Sequence, residues 1–267
     1  MCVSIIWGMS TLIELDDIEA NVNLCSSLRL RFIELNMNLP EYQPGKIDID
    51  KLIYLKEKNN IFYTIHLPEE FDIANFNGDI VSAYYKIFKE TAWIAAKLNS
   101  PVINMHMNMG VYFTLPEQKI FLYSRYFDDY IAKIKSFGAF TYELYNETGV
   151  KLCIENTGIY DKEYIKKAVD ILLEHDNIFL TWDIGHDHSS SNKDRQYILN
   201  NISKLRHMHF HDAIGTKDHL PLFTGDIDLD EKLDIARNNT CTCVIETKTV
   251  KGLQESVDSL INKALLV

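Results

Sequence analysis

The sequence predicts a single (β/α)8 barrel, and three observations carry that prediction. Eight short apolar segments rich in β-branched and aromatic residues recur along the 267-residue chain, each followed by a longer stretch of helical character. Eight such units in about 250 residues is the usual size of this barrel. Several segments also carry polar residues along one face, whereas a strand buried in a parallel sheet normally reads as continuously hydrophobic.

The elements follow in order. Cys2–Met9 precedes a helix around 16–29 that starts at Asp16-Asp17. Arg31–Asn38 sets Ile33, Leu35 and Met37 against Glu34, Asn36 and Asn38, and a helix around 50–59 follows Asp48 and Asp50. Ile61–Pro68 leads to a helix around 78–98. Pro101–Asn108 sets Ile103 and Met105 against Asn104, His106 and Asn108, ahead of a helix around 117–148. Lys151–Thr157 precedes a helix around 161–175 that begins at Asp161. Ile178–Gly185 leads through a loop containing Ser189-Ser190-Ser191-Asn192 to a helix around 192–203. Leu205–Ala213 sets Met208 and Phe210 against His207, His209 and His211, with a helix around 229–238. Cys241–Lys248 sets Cys243 and Ile245 against Val244, Glu246 and Lys248, and the last helix spans about 250–265. Acidic residues at the helix starts suit the positive end of the helix dipole. An open doubly wound sheet has the same strand–helix rhythm. Polar residues on so many strands need one shared polar destination, however, and the mouth of a closed barrel supplies it. No Pro/Gly/Ser linker divides the chain, so residues 1–267 read as one domain.

Composition narrows the partners. Lys plus Arg is 27 against 38 for Asp plus Glu, a formal charge of −11, which repels phosphate backbones and makes nucleic acid an unexpected partner. No run approaches the ~18 apolar residues of a membrane span, and the start of the chain lacks the basic region of a signal peptide. Five cysteines is an odd number, and Cys241-Thr-Cys243 has neither zinc nor redox spacing. They read as reduced, mostly buried thiols of a cytoplasmic protein.

Of nine histidines, all but His175 fall at predicted strand ends or in the loops after them. His66, His106, His186, His209 and His219 stand there with Glu155, Asp183 and Glu246, and imidazoles and carboxylates converging from several strands suit zinc, manganese or a similar divalent ion. Without a cation the carboxylates would repel one another. Taken singly, His66 and His106 read as hydrogen-bonded barrel histidines, and Glu34 as a residue supporting the site. Among His207, His209 and His211, one ligand with two helpers fits a single ion. Asp187 and His188 read as solvated. Lys248 either balances Glu246 or binds an anionic group of the substrate. Loops around 39–48, 69–78, 109–117 and 187–195 would set specificity, and Trp7, Phe71, Tyr112, Phe113 and Phe223 either stack on a sugar or close the mouth.

Five motifs then stand in order: Ile154-Glu-Asn-Thr157, Trp182-Asp-Ile-Gly-His186, His207-Met-His209-Phe-His-Asp212, Asp218-His219-Leu-Pro with Gly225-Asp226-Ile-Asp228, and Val244-Ile-Glu-Thr247. Together they resemble the xylose-isomerase-like TIM barrel superfamily, which includes sugar and sugar-phosphate isomerases and epimerases and the type-IV apurinic endonucleases. The resemblance runs from Phe32-Ile-Glu-Leu35 to Glu246. Its epimerase branch implies one divalent metal on Glu155, Asp183, His209 and Glu246, with Glu155 and Glu246 passing a proton through an enediolate and His186 contacting substrate hydroxyls. Its endonuclease branch implies up to three zinc ions, with His66, His106, His186 and His219 as additional ligands. One departure is visible, since Lys217 stands where that branch carries an aspartate and Asp218 is displaced by one position. The expectation is a metal-dependent isomerase or epimerase for a small sugar or sugar phosphate. The alternative is a multi-zinc phosphodiester hydrolase for a small phosphorylated compound. A non-catalytic metal- or sugar-binding barrel ranks third.

Overall fold

The computed structural model describes residues 5–266. Eight parallel strands close a barrel: β1 (Ile6–Ser10), β2 (Phe32–Asn36), β3 (Phe62–His66), β4 (Val102–His106), β5 (Lys151–Glu155), β6 (Ile178–Asp183), β7 (Leu205–Phe210) and β8 (Thr242–Ile245). Neighbours follow chain order, and β8 pairs with β1 to close the ring. All eight predicted strands are present, each shorter than the sequence pattern suggests. Residues 2–4 of the first prediction lie outside the described residues.

Helices cover the ring because their apolar residues repeat at three- and four-residue spacing. The helix Glu163–Leu173 buries Tyr164, Ile165, Ala168, Val169 and Leu172 on one side. Asp17 and Asp48 cap their helices, accepting from the amides of Ala20 and Lys51. Asp161 does not cap. Its carboxylate pairs instead with Lys162 and Lys193.

Three regions depart from the sequence reading, one of them a second hairpin in which Asp212–Ile214 pairs with Lys217–Leu220 where a strand end and a loop were expected. Residues 117–121 are not helical, because Lys119–Phe121 pairs with Tyr112–Thr114 in an exposed hairpin after β4. The helix there divides into Leu122–Arg125 and Phe127–Thr148. The loop after β6 opens with a short helix, Ile184–Ser189, and the following helix is only Arg195–Asn200.

The interior is filled from the floor upward. Phe32 and Phe62 stack with ring centroids 4.9 Å apart. Gly8 makes room for them, since a Cβ there would lie 2.5 Å from the Phe32 ring. Above this floor the inward residues turn polar. Glu34 on β2 approaches His207 on β7 at 3.1 Å, a contact between non-adjacent strands that crosses the barrel interior. Cys25, Cys153, Cys241 and Cys243 are free and buried. No helix among the described residues is long and apolar enough to cross a membrane.

Candidate metal centre

Strand register assembles the site. Parallel pairing sets His106 opposite Glu155 and Asp183 opposite His209, so four adjacent strands bring imidazole and carboxylate together at their C-terminal ends. Glu246 follows the end of β8, and its amide donates to the carbonyl of Phe210, which continues the ladder by one step. Donor atoms of Glu155, Asp183, His209 and Glu246 then lie within 4.8 Å of one another. Nδ1 of His209 stands 2.8 Å from Glu246 Oε2, 3.3 Å from Glu155 Oε1 and 3.8 Å from Asp183 Oδ2.

The surrounding residues hold these four. Glu155 accepts from the side-chain amide of Asn104, whose oxygen in turn accepts from the Thr181 hydroxyl at 2.6 Å. His66 and His106 approach its two oxygens at 3.2 Å each. Asp183 accepts from the amide of His186 at 2.6 Å and from Nε2 of His211 at 3.0 Å. His211 itself is fully committed, because its Nδ1 accepts the backbone N–H of His219 at 2.8 Å. It supports Asp183 and has no lone pair left for a metal. Gly185 permits this packing, since a Cβ there would lie 1.9 Å from the His211 ring. Beneath the cluster, Glu34 meets His209 Nε2 at 2.8 Å and His207 at 3.1 Å. Lys248 pairs with Glu246 Oε1 at 2.9 Å.

The donor set fits a divalent cation. Nδ1 of His66 faces the Leu67 carbonyl at 2.7 Å, so Nδ1 carries the hydrogen and the other nitrogen turns a lone pair toward Glu155. Both ring nitrogens of His209 and Glu246 Oε2 are buried and have no aligned hydrogen-bond partner. Lone pairs facing carboxylates need a positive charge between them, either a proton or a metal. Without a metal, protons must serve. Burial lowers the His66 imidazole, but its hydrogen bond to Glu155 and the charges of Glu155 and Glu34 raise it to about 9. Burial raises the Glu155 and Glu246 carboxyls, yet the His209 charge, joined by His106 at Glu155 and by His219 and Lys248 at Glu246, holds both well below the usual carboxylate range.

The mouth is an open cavity of about 550 Å³ with His66, His106, His186, His219, Glu246 and Lys248 in its wall. Asp218 also reaches it, with Oδ1 2.9 Å from His219 Nδ1 and Oδ2 4.0 Å from His186 Nε2, so its one-residue displacement does not remove it from the site. His219 holds a left-handed backbone at φ 54° in the loop that carries it there. Glu155 is 1 % exposed and lies beneath His66, His106 and His186.

Several sequence expectations are corrected. Trp7 and Phe71 are core residues, Tyr112 and Phe113 sit exposed on the hairpin, and Phe223 lies under Lys263, so none of the five aromatics lines the cavity. Of the four predicted specificity loops, only 69–78 and 187–195 reach the wall, through Glu69 and through Ser189 and Ser190. Asp187 is not solvated. It is 1 % exposed and accepts from Trp182 Nε1 and from the amides of Asp194 and Arg195. Asp194 and Asn104 are supporting residues that the sequence reading missed, and only the polar alternation of β4 hinted at Asn104.

The sequence matches the xylose isomerase-like TIM barrel family over residues 22–263, and the chain belongs to that family. No curated protein matches it by sequence. Among solved structures it is similar to a D-tagatose 3-epimerase-like protein, with TM-score 0.74 and 19 % identity over 97 % of this chain and 99 % of that one. It is also similar to the IolI protein with a bound zinc atom, with TM-score 0.73 and 15 % identity over 96 % of each chain. A third similar structure is the 3-keto-D-glucoside 4-epimerase of E. coli, with TM-score 0.73 and 14 % identity over 97 % of this chain and 98 % of that one.

Proposed function

We propose that this chain, one barrel domain over residues 1–267, is a divalent-metal-dependent isomerase or epimerase of a small sugar or sugar phosphate. The observation that carries the reading is the convergence of Glu155, Asp183, His209 and Glu246 within 4.8 Å under an open, polar cavity. Structural likeness to epimerases supports it, as does the zinc atom in the IolI structure. Those four residues would hold the ion, which when bound polarises a substrate carbonyl and stabilises the charge that develops there.

The protein's own groups do the rest. Glu246 stands in the cavity wall, where its Oε1 accepts from Lys248 at 2.9 Å, and it would take a proton from the carbon beside the carbonyl. Glu155, three strands away on β5, would return a proton to the other face of the enediolate. His186 and His219 line the space where substrate hydroxyls would sit, and they orient the sugar by hydrogen bonding. Incubation with a panel of ketoses and ketose phosphates in heavy water tests the reaction. Deuterium at the carbon next to the carbonyl is expected, and no exchange across the panel would overturn it.

A second reading draws on one specific observation. Glu155 is covered by His66 and His106, and these three form a further group of ligand-type donors within 4.8 Å. That arrangement suits a multi-zinc phosphodiester hydrolase, in which water attacks phosphorus and the ester P–O bond breaks. Metal content separates the two readings: close to one ion per chain supports proton transfer, and two or three support hydrolysis.

A further inference from the structure

We infer that Glu34 is a positioning residue that fixes the tautomer of His209, keeping Nε2 protonated so that Nδ1 offers its lone pair to the metal. This rests on the proposed divalent ion among Glu155, Asp183, His209 and Glu246. The case rests on the contacts beneath the site. Glu34 Oε1 faces His209 Nε2 at 2.8 Å. Glu34 Oε2 accepts from the Thr64 hydroxyl at 3.0 Å and faces His207 Nε2 at 3.1 Å. Nδ1 of His207 meets the Thr242 hydroxyl at 2.6 Å. A carboxylate only accepts, so both Nε2 atoms turned toward Glu34 carry hydrogen. Thr242 then donates to the bare Nδ1 of His207, and the Nε2 hydrogen of His209 stands against Glu34 Oε1 at short range without an aligned bond.

The competing tautomer of His209 would put its hydrogen on Nδ1, where three carboxylates wait within 3.8 Å. In that form a metal must first displace a well-held proton. Glu34 opposes it from the opposite side of the ring and from a strand that is not a neighbour of β7. Glu34 is 2 % exposed, and Thr64, His207 and His209 are fully buried, so water does not compete for these contacts. Ligand histidines are commonly oriented by a carboxylate on their second nitrogen, and losing that partner weakens metal binding about 10–100-fold.

The experiment uses the zinc-loaded full-length protein with ¹⁵N-labelled histidine. Its spectrum should show His209 with Nδ1 coordinated and Nε2 protonated. Glu34→Gln should weaken zinc binding, read by competition with a chelating dye, about 10–100-fold while metal-free melting shows an intact fold. Thr64→Val leaves the Oε1 contact in place and should weaken zinc less. Coordination through Nε2, or a folded Glu34→Gln protein with unchanged zinc affinity, would overturn the inference. If Glu34→Gln does not fold, the wild-type spectrum decides alone. Wild-type protein that binds no zinc refutes the metal reading itself. Normal zinc binding that is indifferent to Glu34→Gln refutes only the role of Glu34.

Discussion

Two sets of buried carboxylates lie a few residues apart in this barrel, and they behave oppositely. Asp187, Asp194 and Asp212 are each at most 1 % exposed, yet backbone amides supply most of their hydrogen-bond donors, joined at Asp187 by the Trp182 indole. Asp194 accepts from Gly158 at 2.6 Å and Tyr160 at 2.7 Å, which ties the loop after β5 to the loop after β6. Asp212 accepts from Gly225 at 2.8 Å and Ile227 at 3.2 Å, which folds the His219 loop back over the mouth. Glu155 and Glu246 face imidazole nitrogens instead, and His209 Nδ1 and Glu246 Oε2 have no aligned partner. Burial of an acid is therefore no sign of a metal by itself. The identity of the donors around it decides whether a cation is needed.

The largest effect that would break this contrast is on turnover. Glu246→Gln should lower the rate of deuterium exchange about 10²–10⁴-fold, the usual loss when a general base is removed. Full activity in that variant would mean the site is misassigned. Gly185→Ala offers a sharper cut, because the new methyl must push His211 off Asp183. Overpacking of this kind costs about 1–3 kcal/mol, and loss of the partner on Asp183 should weaken metal binding about 10–100-fold. Calorimetric melting and zinc competition read the two separately.

On the other side of the comparison, Asp194→Asn should lower stability by about 1–3 kcal/mol, because its amide nitrogen meets a backbone N–H where an oxygen is needed. Metal content should not change. The smallest effect concerns pH. Burial raises the Asp194 carboxyl against the lowering effect of its backbone hydrogen bonds. A folded value above the unfolded one gives a contribution that is fullest below the unfolded pKa of about 4 and is lost as pH rises through the folded value. The stability difference between wild type and Asp194→Asn, measured by denaturant titration, should shrink as pH rises from about 4.

The barrel was legible because its polar strand faces had no other place to go. Strand ends were overshot because Thr157, Gly185 and Lys248 continue the alternation after the backbone has turned. The hairpin at 112–121 was not legible, since Tyr112–Thr114 is exposed throughout and the packing of Phe121 on the core is too little to leave an alternating pattern in the sequence. The outline of the site was legible in histidine placement. The split between His209, which faces the carboxylates, and His211, which supports Asp183, depends on what each ring nitrogen touches. Asp187 looked like a solvated loop residue for the same reason, because its donors come from Trp182 and from amides brought near only by the fold.

The most direct test of the metal centre is anomalous diffraction from crystals of the zinc-loaded protein. The principal peak is predicted at bonding distance, about 2.0–2.2 Å, from Glu155, Asp183, Glu246 and Nδ1 of His209. A zinc-loaded crystal with no peak among these four residues would contradict the account.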